Sequence, residues 1–252
     1  MIPLTAIYGF LLALARVSGV FVFVPIPWVR TGPAMARVVL SVCFTLSLFP
    51  VWSNLIPAEP ALGQFLTWLA VDATLGLLVG LAVAVVTESF LLGAQVVSLQ
   101  AGYGFAVFFD PNTDAESTVI IRLVQILTGL LFFLAGLDRM VLKIFARSLE
   151  VYPPGSFHLS RSLAETVVAL ISNVFSMGLR LVLPVVALLV VVDLALALLG
   201  RLNAQLQLIT LAFPIKMLAA LAMLATVVFL YPKLFQQAAE VSFGVLFRLL
   251  KW

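Results

Sequence analysis

The stretch that decides the fold runs from Ala61 to Phe109, ALGQFLTWLAVDATLGLLVGLAVAVVTESFLLGAQVVSLQAGYGFAVFF. Its only charged residues are Asp72 and Glu88, and no turn sequence separates its halves. About 20 apolar residues cross a bilayer as a helix. At about 1.5 Å per residue, one continuous helix here would reach roughly 70 Å, about twice a bilayer. A soluble domain must wet one face of such a segment, and this one has no polar face.

The rest of the chain has the same character. Of 252 residues, 63% are hydrophobic and 10% charged, against about a quarter charged in a soluble domain, and the mean hydropathy is +1.22. The net charge of +3 is spread over loops without a basic run, which argues against a nucleic-acid partner and fits cytoplasmic loops. Cys43 is the only cysteine, so an internal disulfide and a cysteine metal cage are excluded. It reads as a small buried hydrophobe.

Apolar segments fall near 4–24, 38–56, 61–87, 89–109, 119–137, 163–199 and 208–231. The first lacks a basic leader before Arg16 and is too long for a signal peptide, so it reads as a retained membrane helix from about Thr5 to before Pro25 and Pro27. Residues 163–199 are long for one span and need a kink at Pro184 or a hairpin. Loop charges place Arg30, Arg37, Arg139, Lys143, Arg147, Arg161 and the C-terminal Lys233, Arg248 and Lys251 on the cytoplasmic side. Seven crossings with the N-terminus outside satisfy that distribution. No repeat or composition shift marks a second domain, so residues 1–252 read as one domain.

Arg16, Asp72, Arg122, Asp193 and Lys216, and also Arg180, lie inside apolar segments, where a charge must face protein or water. They are either a proton or ion relay or ion pairs within or between subunits. Arg180 and Asp193 are too far apart to pair on one straight helix. Gly76 and Gly80 form a G-x-x-x-G that permits close helix approach, inside the chain or between subunits.

Catalytic and cofactor motifs are absent: there is no G-x-S-x-G, H-E-x-x-H, Walker-type loop or G-x-G-x-x-G opening a helix. His158, the sole histidine, lies in the polar loop YPPGSFHLSRS and reads as a solvated loop residue. Asp110, Asp114 and Glu116 fall short of a calcium loop. No enzyme, metal or cofactor is expected.

The segment AGYGFAVFFDPNTDAEST, residues 101–118, is the most unusual. Gly102 and Gly104 open backbone angles closed to other residues. Tyr103, Phe105, Phe108 and Phe109 supply rigid apolar surface, and Pro111 ends any helix by Asp110. Asp114 or Ser117 can cap the next helix near Thr118. Such a loop is tolerated at membrane depth only where it lines a cavity; otherwise it is an interfacial aromatic turn.

Ordered features over nearly the whole chain resemble the FliR/SctT export-gate family of flagella and type III secretion injectisomes. They are Ala15, Arg16 and Gly19 followed by Pro25; Gly102-Tyr-Gly-Phe-Ala-Val-Phe-Phe-Asp-Pro111, similar to a G-x-x-F-A-x-x-x-D-P pattern; Ser148 with Tyr152-Pro-Pro-Gly155; and the order Pro184, Asp193, Arg201, Gln205, Pro214, Lys216. The chain departs from the family at Ala204, where Pro is usual, at Gln207, where Asn is usual, and at Gly136 to Arg139, where an Asn-Gly-His type turn is common.

The resemblance implies an all-α polytopic membrane protein whose long bent helices and hairpins pack in a pore-forming hetero-oligomer with FliP and FliQ family subunits, and with the FlhB family, in the bacterial inner membrane and flagellar basal body. It would pass unfolded flagellar proteins, contact lipid and bind no nucleic acid. Gly102, Gly104, Phe105, Phe108, Phe109, Asp110 and Pro111 would plug the pore, while Arg201, Gln205 and Lys216 would serve subunit contacts or an inner gate. The alternatives are an injectisome subunit of the same family and an ion-coupled secondary transporter using Asp72, Arg122, Asp193 and Lys216. The transporter would require paired interrupted helices, and no such repeat is present.

Overall fold

The structure, a computed structural model, describes residues 4–23, 34–52, 61–103, 119–157, 161–202 and 208–249. These form α1 (Leu4–Phe23), α2 (Ala34–Ser47), α3 (Phe49–Trp52), α4 (Leu62–Ala101), α5 (Val119–Leu134), α6 (Leu137–Val151), α7 (Arg161–Leu202), α8 (Leu208–Val227), a 3-10 turn (Val228–Leu230) and α9 (Tyr231–Leu249). No strand occurs among the described residues. The protein is an all-α polytopic membrane protein.

The two segments expected at 61–87 and 89–109 are a single 40-residue helix, α4. Glu88, which divides the two expected segments, lies inside the helix, and Asp72 within it has a buried partner. The helix stops at Ala101, eight residues short of the expected end. There Gly102, at φ +85°, closes a Schellman motif: its N–H donates to the Leu99 carbonyl at 3.2 Å, and the Tyr103 N–H donates to the Ser98 carbonyl at 3.0 Å.

Residues 161–202 are also one helix, 42 residues long, which continues through Pro184 without a hairpin. Four helical stretches among the described residues are long and apolar enough to cross a membrane: Thr5–Phe23, Leu62–Ala101, Leu163–Arg201 and Ala212–Arg248. A fifth is the pair α5 and α6 if they count as one span; they bend by 60° at Gly136, which takes φ +68°. This corrects the seven crossings expected from loop charges. The two halves of α4 are one helix, and the apolar helix at Met35–Ser47 is too short to cross.

The chain divides into two compact units, each continuous with parts of α4 and α7. In the first (residues 1–86, 132–172 and 239–252), α1 buries Leu12, Ala13, Arg16, Val17 and Val20, a stripe at helical spacing. It lies on α4 at a crossing of small residues. A Cβ on Gly19 would stand 2.7 Å from the Ala73 carbonyl, and one on Gly80 would stand 2.8 Å from the Val20 carbonyl. The Gly76/Gly80 motif is therefore an intramolecular crossing. Phe44 of α2 meets Phe21 of α1 and Phe145 of α6, with ring centroids 6.0 and 5.8 Å apart. α6 is amphipathic: Leu137, Val141, Ile144, Phe145, Ser148 and Leu149 are buried, while Arg139, Lys143 and Arg147 are exposed.

Cys43 is exposed on α2, contrary to the expected burial. The helix turns Ser41 and Thr45 inward, where their hydroxyls donate to the carbonyls of Arg37 and Ser41, both at 2.7 Å. Position 43 is then on the opposite side.

In the second unit (residues 87–131 and 173–238), α4 packs on α7 at another small-residue crossing. A Cβ on Gly93 would lie 3.0 Å from Val182, and one on Gly178 would lie 3.1 Å from the Ser89 carbonyl. The Phe90 ring stacks at a tilt with Tyr231 and Phe235, centroids 5.2 and 5.4 Å away.

Candidate functional site

Among the described residues, each unit holds a polar cluster built around an ion pair. In the first, the Gly76 crossing sets the backbone of Arg16 directly on α4, one helical turn from Asp72. Arg16 and Asp72 form an ion pair whose side chains are 0% and 1% exposed. The Arg16 Nη1 donates to the Ser148 and Tyr152 carbonyls, each at 2.9 Å. These carbonyls close α6 at the negative end of its dipole; the Ser148 carbonyl also accepts the Tyr152 N–H at 3.0 Å, so Arg16 is its second donor.

The other oxygen of Asp72 accepts the Gly155 N–H at 3.0 Å. Gly155 takes φ +82°, and a Cβ there would stand 2.8 Å from the Trp68 ring. One buried ion pair thus ties together α1, α4, the end of α6 and the Tyr152–Gly155 turn. Its carboxylate is held on both oxygens, an arrangement suited to structure more than to proton exchange. Arg16 Nε has no partner among the described residues.

The second cluster lies at the C-terminal end of α4. Lys216 of α8 pairs with Asp193 of α7 at 2.5 Å, and the Gln100 side-chain amide donates to the other Asp193 oxygen at 3.3 Å. Lys216 Nζ also donates to the Gln100 carbonyl at 3.5 Å. The Tyr103 hydroxyl donates to the Met217 carbonyl at 3.2 Å. Partial burial raises the Tyr103 phenol above its ordinary value. Gly102 sits on Phe213, whose ring would be 2.7 Å from an added Cβ.

The sequence-predicted residues therefore separate. Lys216, Asp193 and Gly102 come together in one cluster, and Arg16 and Asp72 in the other. Arg122 is exposed on α5, and Arg180 and Arg201 are exposed on α7. Gly104, Phe105, Phe108, Phe109, Asp110, Pro111 and Gln205 lie outside the described residues, as do His158, Asp114 and Glu116.

Residues that sequence reasoning missed are Gln100, Trp68 and the carbonyls that bind Arg16; Tyr103, read there as apolar surface, is also a hydrogen-bond donor. Gln100 and Tyr103 flank a glycine at the end of an apolar run, a local signal of a helix terminus. Trp68 and the carbonyls gave none. Among the described residues no group of three His, Cys, Asp or Glu side chains can hold a metal.

Apolar helices longer than a bilayer, small-residue crossings and polar side chains spent on joining helices define a polytopic membrane protein. The chain belongs to the bacterial export proteins, family 1, whose pattern matches residues 7–241. It is similar to flagellar biosynthetic protein FliR of Escherichia coli (strain K12), 27% identical over 215 residues that cover 84% of this chain and 81% of the relative. It is also similar to FliR of Pectobacterium carotovorum subsp. carotovorum, 30% identical over 85% of this chain and 80% of the relative, and to FliR of Caulobacter vibrioides, 24% identical over 87% and 88%. The protein is a membrane-embedded component of the flagellar export apparatus, which assembles with other export proteins and is not an enzyme.

Proposed function

We propose that residues 1–252 act as one export-gate domain in the bacterial inner membrane, at the flagellar basal body, and that they join FliP and FliQ family subunits in a channel for unfolded flagellar proteins. The observation that carries this is the mismatch between helix length and bilayer. α7 has 42 residues, about 63 Å at 1.5 Å per residue, against a hydrocarbon core of about 30 Å. Only 22% of its most apolar stretch is buried inside the chain, and only 11% for Ala212–Arg248. Lipid can cover part of these faces; the remainder needs other apolar helices. An FlhB family subunit is a further neighbour, and Arg201, Gln205 and Lys216 serve subunit contacts or the inner gate.

Gly102, Gly104, Phe105, Phe108, Phe109, Asp110 and Pro111 close the channel until secretion begins, with the glycines as hinges and the aromatic rings as the seal. Membership of the export family replaces the ion-coupled transporter reading. The test is deletion of residues 102–111 in the complex co-expressed with its partners. The membrane should become leaky to small ions while the complex still assembles. An assembled deletion complex as tight as wild type would refute the plug, and a chain that stays monodisperse and alone beside its partners would refute the channel.

A further inference from the structure

Among the four C-terminal carbonyls of α4, which have no intrahelical partner, the Gln100 carbonyl is met by a cation. Lys216 Nζ approaches it at 3.5 Å while paired with Asp193 at 2.5 Å. The Gln100 side chain returns to the same Asp193 carboxylate at 3.3 Å, and Tyr103 is tied to the backbone of Met217, next to Lys216, at 3.2 Å. Three helices, α4, α7 and α8, therefore meet through one lysine. A cation at a helix C-terminus is favoured by the dipole, and in apolar surroundings each of these charges depends on the other. Side-chain exposures of 18% for Lys216 and 38% for Asp193 leave the joint accessible enough to open.

We infer that Gln100, Asp193 and Lys216 form a latch that positions the end of α4, and with it the root of the segment starting at Gly102, in the closed channel. Lys216 and Asp193 then do more than satisfy one another's charge. They stabilise one placement of residues 100–103, and an equilibrium between closed and open shifts by whatever a contact contributes to one state alone. These are positioning residues and need not touch a passing substrate. The inference rests on the reading that residues 102–111 close the channel.

The experiment measures ion leak of the complex, co-expressed with its partner subunits and reconstituted in vesicles, for Lys216→Met and for the deletion of residues 102–111. Loss of a charge-assisted contact from one state should raise the leak of Lys216→Met about tenfold or more, with assembly unchanged. Lys216→Arg, which keeps a cation between Asp193 and the Gln100 carbonyl, should stay near wild-type tightness, and a leak as large as that of Lys216→Met would count against the latch. A tight Lys216→Met complex beside a leaky deletion would overturn the latch and leave the plug standing. Tightness in both would overturn the plug and the latch together. Should Lys216→Met fail to assemble, Asp193→Asn, which removes the counter-charge of Lys216 at nearly constant side-chain size, decides the matter: leak supports the latch, and wild-type tightness overturns it.

Discussion

Gly76 lies against the backbone of Arg16: a methyl group at Gly76 would stand 1.9 Å from the Arg16 carbonyl oxygen. That contact delivers the Arg16 guanidinium to Asp72, because the crossing of α1 and α4 can be this close only where one helix has no side chain. Gly76→Ala would ordinarily gain about 1 kcal/mol of helix propensity. Here it should cost about 3 kcal/mol or more, the upper range of overpacking losses, since the obstruction is backbone. Gly63, with nothing within 4 Å of its Cβ position, is the control, and Gly63→Ala should be neutral or stabilising. Thermal unfolding in detergent compares the two; equal melting temperatures would rule out the crossing.

The Arg16–Asp72 pair should behave as a unit. Asp72→Ala leaves a buried guanidinium without its counter-charge, a change that costs about 3–5 kcal/mol in buried pairs. Arg16→Met also removes the Nη1 donor shared by the Ser148 and Tyr152 carbonyls, of which Ser148 keeps the Tyr152 N–H. The double variant Arg16→Met with Asp72→Leu should lose clearly less than the two singles added together. Unfolding free energies around this cycle check it, and strict additivity would show that the pair is not coupled.

Gly155 should tolerate no side chain, for two separable reasons. Its φ of +82° costs a non-glycine residue about 1–2 kcal/mol, and the Trp68 ring fills the Cβ position. Gly155→Ala should therefore lower the melting temperature. Adding Trp68→Leu should recover only the steric part, read as incomplete recovery in the same melt.

The membrane class was legible because a bilayer leaves a local mark: α4 carries two charges in its 40 residues, and no partner is needed to read that. Its length was less legible. Glu88 marked the division between two expected segments, yet the helix runs through it, and only the fold reveals that Arg16, 56 residues away, neutralises Asp72. Gly76 and Gly80 announced a crossing but not whose helix would cross. Gly102 carried a correct local signal of a C-cap, outweighed in the reading by the apolar run through Phe109. The meeting of Gln100, Asp193 and Lys216 spans more than 90 residues of sequence, and no spacing rule reaches that far. The alternation of loop charges led to seven crossings because it assumes that each apolar segment spans once, which long helices do not obey.

Tyr103 should show in the alkaline limb. Burial raises its phenol, so the folded state holds the proton more tightly than the unfolded chain does. The stability this contributes is complete below the ordinary phenol value of about 10 and is lost as pH rises through the folded value. Phenolate absorbance of wild type minus Tyr103→Phe should titrate above that ordinary value. A difference curve centred at or below it would contradict the burial.

Gly102 combines a backbone demand with a steric one, and the two predict different rescues. The Schellman closure of α4 needs φ +85° at this position, and Phe213 stands 2.7 Å from where a Cβ would be. The obstruction is the edge of a ring, so it can yield as the Gly76 carbonyl cannot. Gly102→Ala should destabilise by about 1–2 kcal/mol for the left-handed conformation, plus a packing loss that Phe213→Leu relieves. Gly102→Asn, in which the side chain is more tolerant of positive φ, should fall between glycine and alanine once Phe213 is shortened. The order Gly, Asn, Ala in melting temperature, measured in the Phe213→Leu background, isolates the backbone demand. If alanine matches glycine there, the end of α4 is set by Phe213 packing and not by the conformation of Gly102.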